Sequence, residues 1–322
     1  MNARVIQSVL AVAIAAALPL VTQDQYVLRV AIFAGLFVVM AVTYDLVVGQ
    51  TGSLSLAHPT FYGIGAYTVA ILVTSYQVPF PLAFLAAALI AFASAILIGI
   101  PCFRLSEHSF AIGTLGFSIV LQLVANNWID LTNGPMCTAG VPALEFSFLG
   151  KTFSTAQVDH AYYGVLVLAV VITAIVWIIT SSRVGRAFRA IRENTVLARS
   201  QGVNATLYKL AAFGISAALV SVAGGYYASY SSLVCPTEMG YPYTVALLII
   251  VYLGGVGSLR GVILAAILFT LLPEVLRVTQ EARLVLYGIL LLLVSLYLPQ
   301  GMEGAVARLE QHIAKLWRRA FS

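Results

Sequence analysis

Long apolar runs alternate with short polar breaks along the whole chain. Ten runs stand out: Val5–Val21, Val27–Val48, Phe61–Ser75, Pro81–Ile100, Phe110–Ala125, Tyr162–Thr180, Leu207–Leu233, Tyr243–Leu253, Val262–Leu272 and Leu284–Leu298. A spanning helix needs about 20 mostly apolar residues, so the pattern predicts an all-α integral membrane bundle of about ten (8–10) helices. The third, eighth and ninth runs are short and flanked by glycine. They are predicted to be broken or re-entrant, which lipid tolerates only where protein or a polar cavity covers the freed backbone. The first run follows Arg4 and resembles the apolar core of a signal peptide; in a chain so apolar throughout it reads as a first spanning helix.

Two polar stretches interrupt the pattern. Residues 126–160 form a long loop with Gly134, Pro135, Gly140 and Pro142, suited to a surface for an extracytoplasmic partner. Residues 181–204 are the most polar part of the chain. There Phe188, Ile191 and Leu197 alternate with arginines, predicting short helices lying along a membrane face, with Gly185 and Gly202 punctuating the ends.

Composition excludes a soluble alternative. Of the 322 residues 61% are hydrophobic and 9% charged, against roughly 25% charged in soluble domains. The chain is therefore expected to be one transmembrane domain over 1–322, in contact with the lipid bilayer along its length. Its net charge of +5 is less informative than its distribution. With the N-terminus inside, only Arg29, Lys151, Arg277 and Arg283 fall on outer loops, and the other 13 of 17 basic residues fall inside. This asymmetry orients the chain, puts both termini in the cytoplasm, and makes 301–322 a basic cytoplasmic tail. No basic face on a soluble fold is available for nucleic acid.

Chemistry of several kinds is missing. There is no GxxxxGK[ST] to cradle ATP, no HExxH and no GxSxG, so no catalytic residue is assigned. The three cysteines show no CxxC spacing and no metal-ligand cluster with the four histidines, so no metal site and no bound cofactor are expected. Cys137 and Cys235 both fall on the predicted outer side; a bridge between them is left open.

What remains is a bundle with glycine-rich breaks and scattered polar residues, the profile of a pathway through a membrane. Gly49 to Tyr67, GQTGSLSLAHPTFYGIGAY, is the most informative segment. Small residues allow close helix contact, Pro59 disfavours a regular helix across His58, and a broken helix offers backbone groups to a polar solute. The pathway candidates are Asp45, Gly49, Gly52, Ser53, Ser55, His58, Thr60, Tyr62, Thr114, Ser118 and Gln122. Plain small-residue packing is the alternative for the segment, hydrogen-bonded structural roles are the alternative for His58 and Asp45, and the stripe Thr114, Ser118, Gln122, Asn126 at spacing four faces either the pathway or another helix. The stretches Gly49–Leu54 and Gly254–Leu259 share GxxGSL, a weak internal echo.

Three stretches resemble the LivM-type membrane-spanning subunits of branched-chain amino acid ABC importers. The first is GQTGSLSL with FYGIGAY (49–56, 61–67); the second is SRVGRAFRAIREN (182–194) with Gly202 and KLAAF (209–213); the third is LGGVGSLRG (253–261) with the ending LPQG (298–301). The resemblance implies a permease of a bacterial inner membrane that works by alternating access and pairs with a second, LivH-like permease. It also implies two cytoplasmic ATPase subunits, which use ATP and Mg, and an extracytoplasmic solute-binding protein. Gly185, Arg186, Arg189, Arg192, Glu193, Asn194 and Gly202 would then couple to an ATPase. Three departures stand out. Ala57 and Pro59 alter the usual SLGH-A-A-F pattern. Asp45 stands where many members have Asn and related urea permeases have Asp. Val196 stands where many ABC permeases have a glutamate. A permease of the same architecture for urea or short amides and an ion-coupled secondary transporter are the competing readings.

Overall fold

The computed structural model describes residues 3–22, 24–148, 151–275, 285, 288, 289, 292 and 301–304. Most of the tenth apolar run, the LPQ of the ending motif and the basic residues of the tail lie outside these. The described chain is helical nearly throughout: α1 (Ala3–Val21), α2 (Gln25–Thr51), α3 (His58–Tyr76), α4 (Phe80–Cys102), α5 (Glu107–Asn127), the short α6 (Ile129–Thr132), α7 (Val158–Ser181), α8 (Arg183–Glu193), α9 (Thr195–Ser200), α10 (Ala205–Ser231), α11 (Tyr241–Gly254) and α12 (Leu259–Val275). Five of these, α2, α4, α5, α7 and α10, are long and apolar enough to cross a membrane.

Local chemistry fixes the helix ends. The Asp24 side chain accepts the Tyr26 N–H at 2.9 Å at the start of α2, and Ser106 (to Ser109), Ser182 (to Val184) and Asn204 (to Leu207) cap α5, α8 and α10 in the same way. α2 stops at Gly52, whose φ of +74° suits a residue without a Cβ. Pro59 sits in the first turn of α3, where its missing N–H costs nothing.

α2 and α10 form the core. α2 is buried on all sides over its second half, Val38 to Thr51, as expected of a helix apolar all round, and α10 packs against α2, α3 and α4. α4 buries a row of small residues, Ala83, Ala87, Ala91, Ala95 and Gly99, at spacing four on one face, and Cys102 at its end. Its other faces expose Leu82, Leu85, Leu89 and Leu97, side chains suited to lipid.

The protein has two distinct ends. At one lie α8, α9, the end of α2 and the α11–α12 turn. At the other, residues 126–160 fold into α6 and two small antiparallel pairs, which the hydrophobic pattern did not predict: β1 (Thr138–Ala139) with β4 (Leu233–Val234), and β2 (Glu145–Phe148) with β3 (Lys151–Ser154). Beside the first pair Cys137 and Cys235 form a disulfide, closing the question the sequence left open. Cys102 is buried. The bridge ties the loop after α5 to the loop after α10, which the β1–β4 ladder has already brought into register. Unreduced protein, cut between 137 and 235, is therefore expected to run as one species on a gel and as two after reduction; separation without reductant would show the bridge absent.

Two helices begin inside the bundle instead of at its surface. After Gly52 the chain turns back without helical structure until His58, which sits beside Thr43, about 12 Å inside the end of α2 at a rise of 1.5 Å per residue. From the disulfide end, Pro236–Met239 dips inward until Met239 fills the space over Gly63. α11 starts there and is 14 residues long, about 21 Å against a hydrocarbon core of about 30 Å. The expected breaks before the third and eighth runs are thus present, as a non-helical segment (residues 52–57) and a short 3-10 turn (Pro236–Met239) entering from opposite ends.

Candidate functional site

The broken segment meets α5 and α11 at Leu56. Its N–H donates to Thr114 Oγ1 (3.0 Å), and its carbonyl accepts from Thr244 Oγ1 on α11 (3.3 Å). The neighbouring polar backbone is also covered: Tyr44 OH donates to the Ser55 carbonyl (2.8 Å), and the Ala57 N–H donates to Ser55 Oγ (3.3 Å). Polar side chains from three helices, with Ser55 of the segment itself, thus replace the helical bonds lost at the break. One turn further on, the hydroxyls of Thr60 and Ser118 lie 2.5 Å apart. The α5 stripe therefore faces the broken segment, with Thr114 and Ser118 buried.

His58 is part of this lattice. Its Nε2 is 3.0 Å from Thr43 Oγ1 and its Nδ1 is 3.4 Å from Ser216 Oγ on α10. Ser216 in turn donates to the Thr43 carbonyl (2.6 Å). With both ring nitrogens engaged and 1% of its surface exposed, His58 joins α2, α3 and α10. These contacts fit the hydrogen-bonded structural reading of His58.

A second constellation lies at the arginine-rich end. Asp45, fully buried, accepts the Gly257 N–H at 2.8 Å, and Gln50 Nε2 donates to the Gly257 carbonyl (3.0 Å). Gly49 lies over Asp45, and a Cβ there would overlap the carboxylate. The two GxxGSL stretches, an echo in sequence, are therefore partners in space. Arg192 from α8 then spans both: one guanidinium nitrogen donates to the Gly49 carbonyl (2.5 Å) and to the Val256 carbonyl (3.4 Å). A Cβ on Gly257 would press on that nitrogen, and Gly52 lies against the Arg192 stem. Gly301, described at the end of the LPQG motif, has a φ of +64° and packs against Gly255. One Asp45 oxygen and Gln50 Oε1 have no hydrogen-bond partner among the described residues.

The remaining candidates separate. Ser53 lines a different cavity, the Tyr62 ring lies tilted against Tyr227 at 5.7 Å, and Gln122 lies beside Gly240. The list thus divides into the polar lattice (Ser55, His58, Thr60, Thr114, Ser118), the glycine-turn cluster (Asp45, Gly49, Gly52) and outliers. Thr43, Ser216, Thr244 and Gly257 were not singled out from sequence. Only Gly257 carried a signal, through the echoed GxxGSL.

In the arginine-rich segment, α8 buries Phe188 and Ile191 as expected. Two details differ from the sequence reading. Leu197 is exposed, and Ala198 is the residue that α9 buries: Asn194, whose side chain accepts the Val196 and Leu197 N–H groups at 3.0 Å, starts a new helix and resets the face. Gly185 does not end a helix but sits in the first turn of α8, where a Cβ would overlap the Thr180 backbone. Gly202 does end one, with a φ of +81°. Arg189 donates to the Thr180 carbonyl (3.0 Å) and Arg186 to Ser182 (3.5 Å), tying α8 to the end of α7. Glu193 is exposed, and Val196 and Leu197 form an apolar tip 78% and 59% exposed.

These features define a class: a multi-pass helical membrane protein whose broken helices carry a polar lattice and whose arginine-rich end grips two glycine turns. The chain belongs to the family described as branched-chain amino acid transport system / permease component, whose profile matches residues 26–295. It is 32% identical over 286 residues to the high-affinity branched-chain amino acid transport system permease protein LivM of Salmonella typhimurium, covering 83% of this chain and 67% of that protein. The LivM protein of Escherichia coli K12 is 33% identical over the same shares. The LivH permease protein of Salmonella typhimurium is 25% identical over 83% of this chain and 91% of its own length. No solved structure gives a significant match.

Proposed function

We propose that this chain is one permease subunit of an ABC importer in a bacterial inner membrane, translocating branched-chain or similar small amino acids. A LivH-like permease is its partner, two ATPases dock on its cytoplasmic face, and a binding protein delivers substrate to the disulfide end. In this reading the arginine-rich end is cytoplasmic. The disulfide then lies on the oxidising side, where such bonds persist.

The observation that carries the reading is the reach of Arg192. α8 is packed on the end of α7, and its Arg192 guanidinium holds both glycine turns at once. A push on α8 therefore acts directly where α2 gives way to the broken segment and where α11 turns into α12. Alternating access needs such a link between an energy source and two elements with distinct arrangements. The polar lattice at Leu56 suits brief contact with a small solute, since a pathway must release what it accepts.

The exposed tip, Val196 and Leu197, is the part of the segment free to enter an ATPase cleft. The aligned glutamate of other ABC permeases is absent, so this contact is apolar. Val196→Asp is expected to weaken ATPase association by about tenfold, as for loss of an interface anchor of 1–3 kcal/mol, measured by co-purification with tagged ATPase while permease abundance stays normal. Undiminished association would remove the docking role. The wider reading is tested by isolating the complex: a second permease and two ATPases should accompany this chain, and uptake into vesicles should require ATP. Uptake by this chain alone, driven by an ion gradient, would contradict it.

A further inference from the structure

Besides the lattice and the glycine turns, the arginine-rich end holds a cavity of about 180 Å³ between the α4–α5 turn, the start of the broken segment, α9 and α10. At roughly 30 Å³ per water, it has room for one small metabolite and is too small for a nucleotide. Its chemistry is specific. Phe103 and Phe110 form an apolar wall, stacked on each other at 4.3 Å. Lys209, 9% exposed, pairs with Glu107 at 3.3 Å while the Glu107 side chain stays 69% exposed. Arg199 also lines the cavity and has no ion pair among the described residues. Ser53, 3% exposed, lines it with its hydroxyl unpartnered among the described residues.

Two cations face one carboxylate, so the cavity has a surplus positive charge that attracts an anion. The first turn of α5, at Ser106, adds its amide dipoles to that field. The exposed Glu107 offers a second pole for a cation, and the phenylalanines an apolar wall between them. That combination matches a zwitterion with a short aliphatic side chain.

We propose that this cavity binds the transported product, a small apolar α-amino acid, from the cytoplasmic side, and that its occupancy slows further import. The carboxylate lies on Lys209, Arg199 and the Ser53 hydroxyl, the ammonium on Glu107, and the aliphatic chain against Phe103 and Phe110. The inference rests on the transport reading above and on its orientation. The brake follows from which elements line the cavity. Ser53 belongs to the broken segment and Arg199 to α9, so a ligand bridging them favours the arrangement in which the two stand together. Accumulated product then resists the movement that the ATPases drive.

The test uses the complete transporter in proteoliposomes with ATP sealed inside and binding protein with labelled leucine outside. The lumen is preloaded with unlabelled leucine, with leucinol (no carboxylate), with 4-methylpentanoate (no ammonium) or with inorganic phosphate. Internal leucine is expected to lower the initial uptake rate about fivefold, the lower end of coupling between sites. The methylpentanoate should act more weakly, and leucinol and phosphate should have no effect. Lys209→Gln should abolish the inhibition while uptake into empty vesicles stays normal, because exposed Glu107 is not stranded by the change. Arg199→Gln, at a surface position, should weaken the inhibition and serves if Lys209→Gln does not assemble. Inhibition by phosphate equal to that by leucine would reveal a general anion or lipid-headgroup site and overturn the proposal. Unaltered inhibition in the assembled variants, or none in the parent, would also overturn it. Absence of any ATP-driven leucine uptake would instead bring down the transport reading and this inference together.

Discussion

Arg192→Ala is expected to leave the permease folded and assembled but to lower leucine transported per ATP hydrolysed by at least about tenfold. Hydrogen bonds from charged donors contribute roughly 1.5–3 kcal/mol each, and each 1.4 kcal/mol is about tenfold in an equilibrium. The variant loses two contacts, to Gly49 and Val256, which together tie α8 to both glycine turns. Folding should survive, because α8 keeps Phe188 and Ile191 buried and Arg189 still holds the end of α7. ATP hydrolysis should continue, since the tip at Val196 is untouched. Arg192→Lys should recover little, because the ammonium nitrogen ends one bond short of the guanidinium nitrogen that makes both contacts. Uptake and hydrolysis measured on the same vesicles give the ratio, and an unchanged ratio would show that force passes by another route.

The second large effect concerns assembly. α3 and α10 cross with their backbones in contact: a Cβ on Gly65 would overlap the Ser221 carbonyl, and one on Gly224 would overlap the Tyr62 carbonyl. Small residues at helix crossings permit this approach in lipid. Gly65→Leu or Gly224→Leu must separate the two helices, and with them the broken segment from His58 and Ser216. The cost should exceed the roughly 1–3 kcal/mol of ordinary overpacking, because the obstacle is backbone and cannot change rotamer. Little folded permease should be recovered by size-exclusion chromatography for either variant. Gly116→Leu on α5, where a Cβ meets nothing within 4 Å, should behave as the parent. Equal recovery of all three would show that the crossing is looser than described here.

Much of this was legible in the chain, for identifiable reasons. Apolar runs mark helices because lipid requires every backbone group to be satisfied within the segment, and α2, α4, α5, α7 and α10 fall on predicted runs. Gly52 and Pro59 marked the break, because each restricts backbone geometry locally. The polar stripe of α5 was visible in its spacing, but its partner was not: the Leu56 and Thr60 contacts join positions 58 residues apart. Long-range meetings leave almost no local trace. The Asp45–Gly257 bond spans 212 residues, and only the repeated GxxGSL hinted that the two turns were alike. The disulfide needed the β1–β4 ladder to be seen. Leu197 was misassigned because a 3.6-residue period was carried through Asn194, where the helix stops and restarts. Arg192 was grouped with Arg186 and Arg189 as a residue coupling to an ATPase, since nothing in sequence distinguishes an arginine that reaches inward from one that points to solvent.

The account depends above all on which side of the membrane α8 and α9 occupy. A Val196→Cys variant provides the test, because Cys137 and Cys235 are bonded and Cys102 is buried, so background labelling is low. Membrane-impermeant maleimide should leave this cysteine unmodified in intact cells and label it in inside-out vesicles, less so when the ATPases are bound. Labelling from outside in intact cells would place the arginine-rich end away from any ATPase and contradict the account.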